Sequence, residues 1–313
     1  MTSKIPTLPR ASWRRWLIVL VLVAALYGLL PQLGSFHDSL HLLHQLQWGW
    51  AGWALLTTLL TYAAAALTYC LLAFKPLPYA RTLFVQPACM FINRLLPAGI
   101  GGIGANYVYL RKQRHNQAQA ASMVAMNNLL GLIGHLLLVA LLLVFFGSHI
   151  PTLHVATGNR QNFIRAAVVL GVLVLLALVV FRHRLARGGR AIWRQLLTYR
   201  RQPVRLSAAL LSSVSLTLCN VLSFWLSAHA LGVSLAFISA LIIFTLGIVI
   251  GTAIPTPGGL GGVEAGLVAG LVAFHVPAAQ ALAVALVYRL ISYWLVLVLG
   301  GGLFVASHRR KYL

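Results

Sequence analysis

The chain has 313 residues, of which 60% are hydrophobic and 8% charged, with a mean hydropathy of +0.88. A soluble domain of this length needs many more polar residues to cover its surface, which excludes a water-soluble globular fold. The 24 Lys and Arg against 2 Asp and Glu would suit a nucleic-acid binder, but most of these cations flank apolar runs, as membrane topology requires, so no nucleic-acid partner is expected.

Arg14 and Arg15 precede an apolar run from Trp16 to about Leu33, read as an uncleaved first span because no small-x-small cleavage site follows. The next stretch, "FHDSLHLLHQLQ", repeats Leu40, Leu43 and Leu46 at helical spacing and reads as a helix lying in the interface. Its His37, His41 and His44, beside Asp38, have a spacing that permits metal ligation, but interfacial residues explain them better and no metal is expected. Trp48, Trp50 and Trp53 form an aromatic belt, and a second span runs to about Phe74, ended by Lys75 and Arg81.

Thr82 to Leu110 is apolar but holds Pro87, Asn93, Arg94, Pro97 and "AGIGGIG". Its 29 residues are too few for two crossings, which need about 40, so a re-entrant hairpin is expected. After "RKQR" come spans at Ala118–Phe146 and Phe163–Phe181, then a stretch from Arg182 to Arg205 with eight arginines. A span from Ser207 to Leu231 and an apolar segment from Leu235 to Ile254 lead to "AIPTPGGLGGVEAGLVAG". Val263–Phe274 is then about 18 Å of helix, too short to cross, and the last span runs from Ala278 to Ser307. Five basic clusters hold twenty of the 24 cations, and all five fall on one side if both glycine-rich segments return to the side they entered. The cysteines Cys70, Cys89 and Cys219 are scattered in apolar runs and read as small hydrophobes.

"PAGIGGIGA" at Pro97–Ala105 aligns with "PGGLGGVEA" at Pro257–Ala265 at an offset of 160, with five of nine positions identical. The charge pattern gives the two copies opposite orientation. The expected fold is therefore all-α: one integral membrane domain over 1–313, about six full spans and two glycine-broken re-entrant hairpins, in an inverted repeat of 48–146 and 207–307. Irregular backbone at membrane depth needs protein or water to satisfy it, so the broken hairpins imply a cavity.

At "PTPGGLGGVEAG" and "YRLISYW" (Tyr288–Trp294) the chain resembles the second-half signature of the lysylphosphatidylglycerol synthase transmembrane-region family, flippase-like integral membrane proteins. "LLPAGIGGIGANYVYL" stands at that family's proline–glycine–glutamate motif. The resemblance implies lipid translocation. No synthase domain is expected in the chain, so lipid synthesis is not implied. The chain departs from the family in two places: Gly102 stands for its first-half glutamate, and Asn127-Asn128 for a Glu-Arg pair. This implies another substrate or a weakened activity.

Glu264, in the first turn of a short helix, is either a dipole-stabilised cap or a cavity charge for a headgroup, a proton or an arginine. Arg289 is too deep to reach water easily, so its partner is Glu264 or a lipid phosphate. Arg94 either snorkels to the interface or binds phosphate. Gly101, Gly102, Gly258, Gly259, Gly261 and Gly262 offer backbone N–H groups to an anion or allow tight packing. Asn127 and Asn128 face a cavity or bond between helices, and the signature adds Tyr288. His135 is expected to be a hydrogen-bonded packing residue.

The sequence thus points to a lipid flippase whose headgroup site lies at the membrane midplane between the two hairpins. Its expected partners are membrane lipids with anionic headgroups, together with a lipid-synthesis enzyme or a second copy. No ATP-binding motif or other cofactor signal is visible. A lone buried carboxylate makes no acid–base pair, so an enzyme is not expected. Two alternatives are a membrane enzyme acting on a lipid-linked substrate and a non-catalytic accessory subunit. The expected location is the bacterial inner membrane, multi-pass, with both termini cytoplasmic.

Overall fold

The computed structural model describes residues 46–96, 99–146, 194, 197–252 and 257–313. The expected spans at 16–33 and 163–181, the His37–His44 segment, His149, His154 and most of the Arg182–Arg205 stretch lie outside them. The described residues are helical, with no strand among them. The first half consists of α1 (Trp48–Leu72), α2 (Tyr79–Leu95), α3 (Ile100–Lys112) and α4 (Gln117–Phe146). The second consists of α5 (Pro203–His229), α6 (Phe237–Thr252), α7 (Gly262–Ala273), α8 (Ala278–Arg289), a π-helical turn (Leu290–Leu295) and α9 (Val296–Arg309).

Among the described residues four helices are long and apolar enough to cross a membrane: α1, α4, α5 and the continuous run Ala278–Arg309. The protein is thus a helical, multi-pass membrane protein. α6 and α7 have 16 and 12 residues, about 24 and 18 Å, less than a hydrocarbon core of about 30 Å. A shift of 160 residues lays α1 over α5, α2 over α6, α3 over α7 and α4 over α8–α9. Gly99 and its counterpart Gly259 share a left-handed backbone, φ 73° and 70°, which a side chain would strain.

α1 and α5 pack antiparallel, through small residues and hydroxyls. The Thr58 and Ser223 hydroxyls are 2.8 Å apart, Ser223 donates to the Ala54 carbonyl at 2.9 Å, and further along Ser212 donates to the Ala64 carbonyl at 2.9 Å. Lipid tails are as apolar as leucine, so close contact of small residues and interhelical hydrogen bonds hold such a seam.

At one end of the bundle the basic segments meet. Lys75 Nζ donates to the Arg114 carbonyl at 2.9 Å, and Tyr199 donates to the Leu72 carbonyl at 2.7 Å. Arg81 lies 4.9 Å over the Tyr312 ring, and Arg310 5.1 Å over Phe84. At the other end Trp50, Trp225, His229 and Phe237 cluster, and the Gln47 N–H reaches the Ala230 carbonyl at 2.8 Å.

His115 is buried in the basic-end turn, where its Nε2 accepts the Lys75 backbone N–H at 3.3 Å. Burial, helped by the nearby Lys75 charge, holds its pKa below the ordinary histidine value. The unfolded chain therefore takes up this proton first, so stability is full above the ordinary value and is lost as pH falls through the folded one. The melting temperature in detergent should drop between about pH 7.5 and 5.5, and drop less in His115→Gln. An equal drop in both would remove His115 as the cause.

In the second hairpin the backbones of α6 and α7 touch. A Cβ on Gly266 would stand 2.5 Å from the Gly247 carbonyl oxygen, whereas one on Gly302 would meet nothing within 4 Å. Gly266→Ala should cost about 1–3 kcal/mol through overpacking, while Gly302→Ala should be neutral or stabilise by about 0.5–1 kcal/mol. Thermal melts of the matched pair check the opposite signs.

Candidate functional site

Each hairpin is broken where glycines let backbones come close. α3 starts at the left-handed Gly99, and a Cβ on Gly101 would run into the Ile92 carbonyl. The Gly102 N–H donates to Asn93 Oδ1 at 3.0 Å, so the end of α2 caps the start of α3. In the second break, Gly258 and Gly261 have φ 60° and 81°, and Gly261 caps α7. A Cβ on Gly258 would strike the Tyr293 ring, and one on Gly259 the Val263 side chain. Gly262 opens α7. Among the described residues, no side-chain cap is made at α7; the dipole of its first turn instead favours Glu264.

Glu264 and Arg289 are each only 4% exposed. Arg289 Nε donates to Glu264 Oε1 at 2.6 Å, and an Arg289 guanidinium nitrogen donates to the Gly258 carbonyl at 3.1 Å. Arg94 approaches the same place from α2, donating to the Gly258 carbonyl at 3.5 Å and the Ser292 carbonyl at 3.4 Å. Both guanidiniums lie over the Tyr293 ring, Arg94 at 4.9 Å and Arg289 at 4.7 Å. The π-helical turn carries Ser292 and Tyr293, and such turns recur at functional sites. Two cations thus gather around one carboxylate, which among the described residues bonds only Arg289. Arg94 has no carboxylate partner among the described residues, its Nε is buried without a partner, and so is Glu264 Oε2.

Arg94 also lines a cavity of about 300 Å³. Six amides border it: Gln86, Asn93, Asn106, Asn127, Asn128 and Asn220. Hydroxyls from Thr58, Thr61, Tyr62, Tyr69 and Ser292 share the wall. Thr58, Thr61 and Tyr62 sit near the middle of α1, which places this polar space within the span. Some of the amides are engaged: Gln86 donates to Asn106 Oδ1 at 3.2 Å, and Asn128 and Asn220 donate back to the Val124 and Leu216 carbonyls. Asn127 makes no side-chain hydrogen bond with a described residue, and Ser292 Oγ is buried without a partner.

The expected site residues therefore divide. Arg94, Gly102, Asn127 and Asn128 line the cavity; Glu264, Arg289 and Gly258 form the charged cluster behind Arg94. Gly101, Gly259, Gly261 and Gly262 shape the two breaks. Tyr288 packs edge-to-face on Phe224 and Phe244, at 5.7 and 5.8 Å, and does not line the cavity. The cavity expected between the hairpins is walled instead by the first hairpin, α1, α4, α5 and Ser292, with no described residue of the second glycine run in its lining. Arg94 turns into the protein rather than out to the interface. Gln86, Asn106, Asn220, Tyr62 and Tyr293 escaped the sequence reading, although amides inside apolar spans are themselves a signal of a polar interior.

Broken helices around a polar cavity within a helical bundle define a class of multi-pass membrane proteins whose site is made by discontinuous helices. The chain belongs to the lysylphosphatidylglycerol synthase TM region family, which it matches over residues 16–300. A UPF0104 membrane protein of Methanothermobacter thermautotrophicus is 37% identical over 83 residues, a match covering 26% of this chain and 25% of that relative.

Proposed function

We propose that the protein moves a phospholipid or lipid-linked headgroup across the inner membrane, holding the headgroup in the cavity beside Arg94. The observation that carries this reading is a polar space in mid-span with a guanidinium on its wall that has no carboxylate partner among the described residues. A partly buried cation at membrane depth without a carboxylate is costly, and a lipid phosphate entering the space would balance it. Family membership agrees with a role in membrane lipid handling.

The reading is of a transporter and not an enzyme: among the described residues the cavity wall has no carboxylate or histidine to act as acid or base. The proposed orientation puts the basic end of the bundle on the cytoplasmic side, which the positive-inside rule favours, and takes both termini to be cytoplasmic. A lipid-synthesis enzyme or a second copy is the proposed protein partner.

Reconstitution tests the reading. Purified protein in liposomes should expose labelled anionic headgroups to the opposite leaflet faster than empty liposomes do. Rates equal to empty liposomes for every lipid tried, glycolipid phosphates included, would end it.

A further inference from the structure

We propose that the cavity selects an anionic phosphodiester whose alcohol is uncharged and hydroxylated, a glycerol or single-sugar type headgroup, over headgroups that carry an ammonium. This rests on the transport reading for its route and on the cavity wall for its specificity.

Charge is the first ground. Arg94 is the one charged side chain among the described residues lining the cavity. The neighbouring carboxylate, Glu264, is bound to Arg289 and does not line the space. One uncompensated positive charge matches a phosphodiester of net charge −1. An aminoacyl or ethanolamine headgroup would bring an ammonium into a space with no anion among the described residues of its wall, next to a guanidinium, and a buried ion needs a partner.

Hydrogen bonding is the second ground. Each amide offers two N–H donors and an acceptor oxygen, and each hydroxyl of a polyol one donor and an acceptor oxygen; an ammonium offers donors only. Asn127 is unengaged with described residues, the buried Ser292 hydroxyl lacks a partner, and Asn128 and Asn220 keep their carbonyl oxygens after bonding back to their own helices. A site built to bond hydroxyls rejects ligands that leave these groups unpaired. The volume of about 300 Å³ is at the small end of ligand pockets and suits a glycerol or single sugar phosphate.

The experiment uses the full chain in phosphatidylcholine liposomes with trace labelled phosphatidylglycerol, phosphatidylethanolamine or an aminoacyl ester of phosphatidylglycerol. Phosphatidylglycerol should cross on the order of tenfold faster than either amine-bearing lipid. Asn127→Asp places a carboxylate on the wall and should narrow or reverse that preference. An amine-bearing lipid crossing as fast or faster in the wild type would overturn the selectivity, as would an Asn127→Asp variant that is folded and transports with unchanged preference.

A binding arm separates this proposal from the transport reading. If no lipid crosses faster than in empty liposomes, transport fails, and selectivity is decided by thermal stabilisation of the detergent-solubilised protein. A larger shift with lysophosphatidylglycerol than with lysophosphatidylethanolamine upholds it, and equal shifts overturn it. Free glycerophosphoglycerol, a water-soluble phosphodiester, identifies the source in the same assay: a shift matching the lyso-lipid assigns a soluble phosphodiester of the same chemistry, and a weaker one assigns a lipid.

Discussion

Replacing Glu264 with Gln should lower the thermal stability of the detergent-solubilised protein more than any single side-chain change in the site outside its pair with Arg289. The substitution keeps the shape but removes the only described carboxylate near two guanidiniums, Arg289 at 2.6 Å and Arg94 across the Tyr293 ring. Both members of the pair are 4% exposed, so water does not replace the lost charge. Removing one partner of a buried pair costs about 3–5 kcal/mol, because the other is left as an uncompensated charge. Arg289→Gln should cost a similar amount. The double variant should lose less than the two singles together, since it leaves no orphan beyond Arg94. A Glu264→Gln protein that melts with the wild type would mean that the pair does not hold the second break in place.

Arg94→Gln should behave in the opposite way. The contacts of Arg94 are long, at 3.4 and 3.5 Å to carbonyls, and it has no described carboxylate partner. Taking away a partly buried cation that has no described carboxylate partner relieves desolvation and repulsion from Arg289, so stability should hold or rise. Translocation should fall. A hydrogen bond to a charged group is worth about 1.5–3 kcal/mol, or roughly 10- to 100-fold in the initial rate of headgroup movement. Arg94→Lys should keep part of the rate, as a point charge without the planar fork. Stability measured beside transport separates the two roles: a structural Arg94 would lose both together.

Much of the helix plan was legible in the sequence, because an apolar run of about 20 residues has few other uses. The expected spans from Trp48, Ala118, Ser207 and Ala278 correspond to α1, α4, α5 and Ala278–Arg309. The two glycine breaks were legible because such runs rarely sit in a helix interior. The pairing of Glu264 with Arg289 was among the weighed partners, since each lacked another charge nearby. The cavity wall was not legible. Single amides such as Gln86, Asn106 and Asn220 serve equally well as interhelical packing groups, and only the packing of α2, α3 and α5 around one space decides that they face it. Nor does any local pattern announce the π-helical turn that presents Ser292 and Tyr293. Tyr288 was carried in by its neighbour Arg289, but adjacent residues point about 100° apart around a helix. One turns to Glu264 and the other into the aromatic packing of Phe224 and Phe244.

The central claim is that the headgroup passes through the cavity lined by Arg94. It is tested most directly with a cysteine at its wall: Asn220→Cys on α5, in a background where Cys70, Cys89 and Cys219 are replaced. A bulky thiol reagent should stop headgroup translocation in liposomes, and the transported lipid should slow the labelling. Full labelling with translocation at the unlabelled rate would contradict the account.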